Sequence, residues 1–172
     1  MISFKLYMFF ILVIFLFALY EALFILVNPK LGFFTKLIAL LVVIYVIYLG
    51  FQRNTYLPFL GPTVMPYSIF PSELKPKDAN LEFTVPIVEE ENTKVLYWAA
   101  QSSSQYFEDP WTAYGDYRNV GVTTIKNNEA KFIVACPSGY KVPTQTLKPH
   151  IHYRIIYPTG IMGEVKTAFV NC

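Results

Sequence analysis

The chain has 172 residues, 14 of them basic and 12 acidic, for a formal net charge of +2. Charged residues make up 15%, against roughly 25% in soluble domains. The deficit is local, because residues 1–52 carry only Lys5, Lys30, Lys36 and Glu21, which leaves 11 bases and 11 acids to the rest. A balanced, block-free charge pattern excludes an electrostatic grip on nucleic acid.

Residues 6–27 form an apolar run with one charge, Glu21, and residues 31–51 form a second. A helix rises about 1.5 Å per residue, so roughly 20 apolar residues cross a bilayer core. Each run is long enough. Asn28-Pro29 breaks the first helix and Lys30-Leu31-Gly32 continues the turn. The expectation over residues 1–52 is a transmembrane helical hairpin with both ends on one side. Its orientation is undecided, since Lys5 and Arg53 flank one side and Lys30 and Lys36 the other. Glu21 reads as an acid near the interface pairing with Lys36 or a neighbouring chain rather than as part of an ion path.

Residues 53–79 place prolines at 58, 62, 66, 71 and 76, which forbids helix and favours extended chain. The segment is apolar, whereas a flexible linker is polar. It therefore lies against its own domain, the bilayer surface or a partner.

From residue 80 the pattern is short strands, expected at 81–87, 94–100, 119–126, 130–136, 150–157 and 163–170. They are rich in Val, Ile, Tyr, Phe and Thr and bounded by Asn, Gly, Pro and Asp. Asn127-Asn128-Glu129 reads as a hairpin turn and Glu89-Glu90-Glu91 as a solvated one. The fold expected for 80–172 is an antiparallel β-sandwich of about seven strands. Cys136 and Cys172 read first as a buried small hydrophobe and a free terminal thiol, and second as a disulfide pinning the C-terminus. With no Asn-x-Ser/Thr sequon, the first reading leans towards a cytosol-facing domain.

The chain's two histidines, His150 and His152, form an H-x-H. On a strand, alternate residues share a face about 6.6 Å apart, so two imidazoles can converge on one metal ion. Alone the pair reads first as two polar residues on one strand face, and only second as a metal site. Its context is Pro137-Ser138-Gly139-Tyr140-Lys141-Val142-Pro143, then Lys148-Pro149-His150-Ile151-His152-Tyr153, with Trp98-Ala99-Ala100 upstream. These stretches resemble the intradiol ring-cleavage dioxygenases, which carry a Pro-x-x-Tyr turn and an Arg-Pro-x-His-x-His-Phe strand. The resemblance spans roughly residues 94–170. It implies a β-sandwich core and non-haem Fe(III) held by two tyrosines and two histidines. The ligand set it implies is Tyr106, Tyr140, His150 and His152, with Tyr114 and Tyr117 competing for the place of Tyr106. Hard phenolate oxygens suit Fe(III). Four features depart from the family: Lys148 is the nearest base to the arginine position, the loop from Tyr140 to His150 is short, Asn127-Asn128-Glu129-Ala130 replaces an Asp-x-x-Gly turn, and a helical N-terminal region is absent.

A second resemblance rests on the paired apolar runs, Tyr56–Gly61, Tyr97–Ala100, Ala113–Gly115, Cys136–Tyr140 and His150–Arg154. Together they look like a dioxygenase-like membrane protein of large DNA viruses. That implies a virion inner-membrane location with the β-domain facing the capsid. The expectation placed first is accordingly a membrane-anchored structural protein, such as a minor capsid or inner-membrane component. It would bind lipid and other membrane or capsid proteins through the Pro-rich segment and β-domain, with no cofactor. The 15 Phe, 13 Tyr and 2 Trp suit a sticky interface. The alternative is a membrane-tethered Fe(III) dioxygenase acting on a catechol-type substrate.

Overall fold

The two apolar runs are helices in the computed structural model, which describes residues 4–52, 55, 61–142 and 145–172. Helix α1 spans Phe4–Val27 and α2 spans Phe33–Phe51. Asn28 ends α1: its side-chain oxygen accepts from Lys30 N at 3.0 Å and its carbonyl from Leu31 N at 3.5 Å. The two helices pack on one another, with the small residues Ala22 and Ala39 buried. Small residues let helix backbones approach closely. The large apolar side chains, among them Phe17, Phe24, Phe34 and Ile44, point outward. Both helices are long and apolar enough to cross a membrane.

Residues from Gly61 onward form a second compact unit, mostly strand with antiparallel sheets. Its elements are β1 (Thr63–Val64), β2 (Leu81–Pro86), β3 (Lys94–Ala99), helix α3 (Pro110–Tyr114), β4 (Val120–Thr124), β5 (Glu129–Val134), β6 (Tyr140–Val142), β7 (Gln145–Leu147), β8 (His150–Ile156), β9 (Ile161–Met162) and β10 (Lys166–Phe169). The largest sheet runs β1-β9-β8-β3-β4, with β10 also on β8; β2 pairs β5, and β6 pairs β7. Each of the six strands expected from sequence has a counterpart. The other four are two- or three-residue pieces, too short to show alternation.

The turn at Asn127-Asn128 has both residues at positive φ, 53° and 61°. That is the twist a two-residue hairpin needs, and asparagine tolerates it. The turn carries the chain from β4 in the large sheet to β5 in the two-stranded one. Val85, Ala130, Phe132 and Val134 of β2 and β5 share one core with Val95, Tyr97 and Ala99 of β3 and with Ile151, Tyr153 and Ile155 of β8. Tyr97 stacks on Phe132 at 4.8 Å. Its hydroxyl reaches Ile133 O at 3.2 Å, so this buried polar tip is satisfied. Gly121, paired with Tyr97 across β3 and β4, leaves the room that ring needs.

The described part of the Pro-rich segment is built into this unit. Met65 N donates to Gly160 O at 2.8 Å, and Leu74 and Val122 exchange backbone bonds at 2.8 and 2.9 Å. The Lys94 ammonium sits 4.0 Å above the Tyr67 ring and donates to Phe70 O. Buried Arg154 donates to Gly61 O at 2.9 Å. Arg53, Pro143 and Tyr56–Leu60, hence most of the Tyr56–Gly61 motif, lie outside the described residues.

The reading of free cysteines is corrected: Cys136 and Cys172 form a disulfide with Cα atoms 6.0 Å apart. Sequence could not bring them together, because it could not show that β10 returns beside β8 and ends near the exit of β5. The bond closes a covalent loop that contains Tyr140, His150 and His152.

Candidate functional site

Alternation on β8 sends Ile151, Tyr153 and Ile155 into the core. His150, His152 and Arg154 therefore leave the opposite face. Across β3, Trp98 is the partner of His152, with ring centroids 5.6 Å apart. Across β10, Thr167 is its other partner. The two imidazole centroids lie 4.7 Å apart.

Tyr140 opens β6 and reaches this face. Phe107 holds the turn: its N–H donates to Gly139 O at 3.0 Å and its carbonyl accepts from Lys141 N at 2.9 Å. Ser138 Oγ donates to Gln105 O at 2.8 Å. Tyr114 ends α3, which starts on a clear signal. Asp109 caps it by accepting from Thr112 N at 2.9 Å and from Thr112 Oγ1 at 2.8 Å, and Pro110 fills the first helical position. Those bonds from Thr112 hold the Asp109 carboxyl below its ordinary range. Gly115, at φ 47°, closes the helix.

Three donor atoms converge. Tyr140 Oη lies 3.2 Å from His150 Nε2 and 3.2 Å from Tyr114 Oη, and Tyr114 Oη lies 3.5 Å from His150 Nε2. Tyr114, Tyr140 and His150 are buried. The far side of each imidazole is fixed. His150 Nδ1 sits 2.6 Å from Lys148 O, a carbonyl that can only accept, so Nδ1 carries the proton and Nε2 faces the phenols as an acceptor. His152 Nδ1 lies 2.9 Å from Thr167 Oγ1. Burial, then the Tyr140 hydroxyl, raises the Tyr114 pKa far above that of a free phenol.

The structure thus brings together Tyr140, His150 and His152 from the expected set. Tyr106 is about half exposed, and its ring lies against Gly139, the neighbour of Tyr140. Tyr114 also stands beside them, with its ring centroid 5.5 Å from Tyr140 and 6.2 Å from His152. Tyr117 stacks on Tyr114 from the solvent side at 5.7 Å. The cue that could have favoured Tyr114 was Asp109-Pro110, which starts a helical turn and fixes where the next tyrosine points. Leu147, three residues before His150 where the motif has arginine, is apolar and packs against Tyr114 and Tyr140 with Trp98, Phe107 and Val142. Asn119, which sequence did not single out, is buried and ties β3 to the exit of β5 by donating to Ala100 O and Ala135 O at 2.7 and 2.8 Å.

Among the described residues, no cluster of three or more His, Cys, Asp or Glu side chains is set to hold a metal ion. The donor set here is two imidazoles and two phenols. Donors a little over 3 Å apart match ligands around an ion with bonds of roughly 2 Å. Two histidines oriented by outer partners are the usual arrangement of metal-bound imidazoles. Hard phenolate oxygens with imidazole nitrogens suit Fe(III). No family model, no curated protein and no solved structure matches the chain.

Proposed function

We propose that this chain is a membrane-anchored protein whose β-domain, a sandwich of intradiol-dioxygenase type, carries a mononuclear Fe(III) centre on Tyr114, Tyr140, His150 and His152. The reaction class this supports is intradiol ring cleavage of a catechol-type substrate. One observation carries the reading: three buried donors from three separate elements meet within 3.5 Å of one another beside His152.

Bound Fe(III) would supply Lewis acidity and a redox partner for an aromatic diolate and dioxygen. The chain's own residues do the rest. The Lys148 carbonyl and Thr167 hydroxyl fix both imidazoles. Burial keeps the phenols dry, so Tyr114 ionises only against a strong positive charge. Trp98 and Tyr117 give aromatic walls beside His152 and Tyr114.

A second reading has its own support. Leu147 in the arginine place supplies no guanidinium to a substrate, and Val64, Ile69, Val88 and Trp111 expose apolar surface. These features suit a structural protein, such as a virion inner-membrane component, docking other membrane or capsid proteins. Purifying the full chain in detergent and measuring iron, the visible spectrum and catechol cleavage separates the two. The first reading expects about one iron per chain, tyrosinate-to-metal colour and ring opening. A colourless, iron-free protein that refuses added Fe(III) would leave the structural reading standing.

A further inference from the structure

We infer that the β-domain lies on the oxidising face of its membrane, with the Asn28–Gly32 turn on the opposite, reducing face. This rests on the membrane-anchor part of the proposed function and not on the metal centre.

The starting point is how the two cysteines meet. Cys136 leaves β5 with its N–H donating to Asn80 Oδ1 at 2.7 Å. At the other end, Val170 is buried in the main core and donates to Pro149 O at 3.1 Å, which delivers Cys172. Contacts other than the bond therefore hold both approaches, and the Cα separation of 6.0 Å is ordinary for a disulfide. The pair uses both cysteines of the chain.

Cys172 is exposed and Cys136 only partly buried, so thiol reductants reach the bond. Thiol pools of the cytosol keep such cysteines reduced, while secretory and extracytoplasmic compartments leave them paired. Forming the bond takes two electrons and two protons from the two thiols. A protein or small-molecule disulfide of that compartment accepts them and becomes a dithiol. The flanking charges do not oppose this orientation, since Lys30 and Lys36 balance Lys5 and Arg53. A hairpin then puts the start of α1 on the same oxidising face and the Asn28–Gly32 turn on the other.

The test uses the full-length chain made in sealed microsomes. Carbonate extraction comes first, and a chain released by it would overturn the anchor itself. For a retained chain, maleimide-PEG should add nothing before reduction and two adducts after detergent and reductant. A membrane-impermeant phosphine should not open the bond until detergent is present. A Glu129→Thr variant creates the chain's first glycosylation sequon at exposed Asn127, and it should gain one endoglycosidase-sensitive glycan. Adducts without reductant, reduction in sealed vesicles, or an unglycosylated Glu129→Thr chain would each overturn the orientation.

Discussion

Tyr140 Oη stands 3.2 Å from His150 Nε2, and this contact joins the β6 turn to an interior strand of the largest sheet. The imidazole proton sits on the other nitrogen, towards Lys148 O, so the phenol donates and the ring accepts. The pair is satisfied as a hydrogen bond, and once the phenol proton is lost, Tyr140 Oη and His150 Nε2 can both face a cation. The cluster is thus a structural joint and a candidate metal centre at once.

Removing single hydroxyls separates these roles. Tyr140→Phe keeps the ring but takes the donor from buried His150. The expected cost is about 1–2 kcal/mol, read from tryptophan fluorescence during denaturant unfolding, together with loss of bound iron and colour. Tyr114→Phe should act in the same way. Tyr106→Phe, at a half-exposed position, should stay within about 0.5 kcal/mol and keep the colour. Loss of iron on Tyr106→Phe with retention on Tyr114→Phe would reverse the ligand assignment.

Among the described residues, Tyr117 is the unusual member of the positive-φ set, the other non-glycine positions being Asn92, Asn127 and Asn128. A bulky residue at φ 54° is strained. Its ring stack on Tyr114 offsets this, since such pairs contribute about 0.5–1.5 kcal/mol. Tyr117→Ala loses the stack and keeps the strain, whereas Tyr117→Gly loses both. Glycine should therefore be the more stable variant by roughly 1 kcal/mol, the reverse of its usual rank below alanine. Equal or inverted unfolding midpoints would show that the backbone at position 117 carries no such strain.

Much of the architecture could be read from residue patterns, and for physical reasons. The paired apolar runs, the Asn28-Pro29 break, the Asn127-Asn128 turn and six strands each follow from local composition, so no tertiary information was required. His150 and His152 share a face because strand alternation dictates it. That Tyr114 meets Tyr140 and His150 depended on a five-residue helix capped by Asp109, and composition does not encode ring direction. The disulfide was misjudged because its partners lie 36 residues apart in sequence and meet only once β8 and β10 have paired. Strands β1, β6, β7 and β9 are two or three residues long, too short to show alternation.

The Cys136–Cys172 bond should stabilise the β-domain strongly. Closing a loop of 36 residues removes unfolded-chain entropy amounting to about 4 kcal/mol in the loop-closure account. The double variant Cys136→Ser/Cys172→Ser should lower the unfolding midpoint accordingly, and excess reductant should bring wild type to the same value. A loss under about 1 kcal/mol would mean that the core and the Val170–Pro149 contact already fix the C-terminus.

Alkaline pH offers a test of phenol burial and of the metal reading together. Burial raises the pKa of Tyr97 and Tyr153, and burial followed by the Tyr140 hydroxyl raises that of Tyr114. The unfolded chain ionises these groups near the ordinary value of about 10. A raised folded pKa contributes stability that is fully present below the unfolded value and is lost as pH rises through the folded one. Unfolding free energy of the metal-free chain should therefore be level up to about pH 9 and fall steeply above pH 10. Tyr97→Phe and Tyr114→Phe should each make that fall shallower. Iron loading should act on Tyr114 and not on Tyr97: a bound cation favours the phenolate, so the Tyr114 share of the slope disappears while the Tyr97 share remains. A slope that iron leaves unchanged would place any bound metal away from Tyr114.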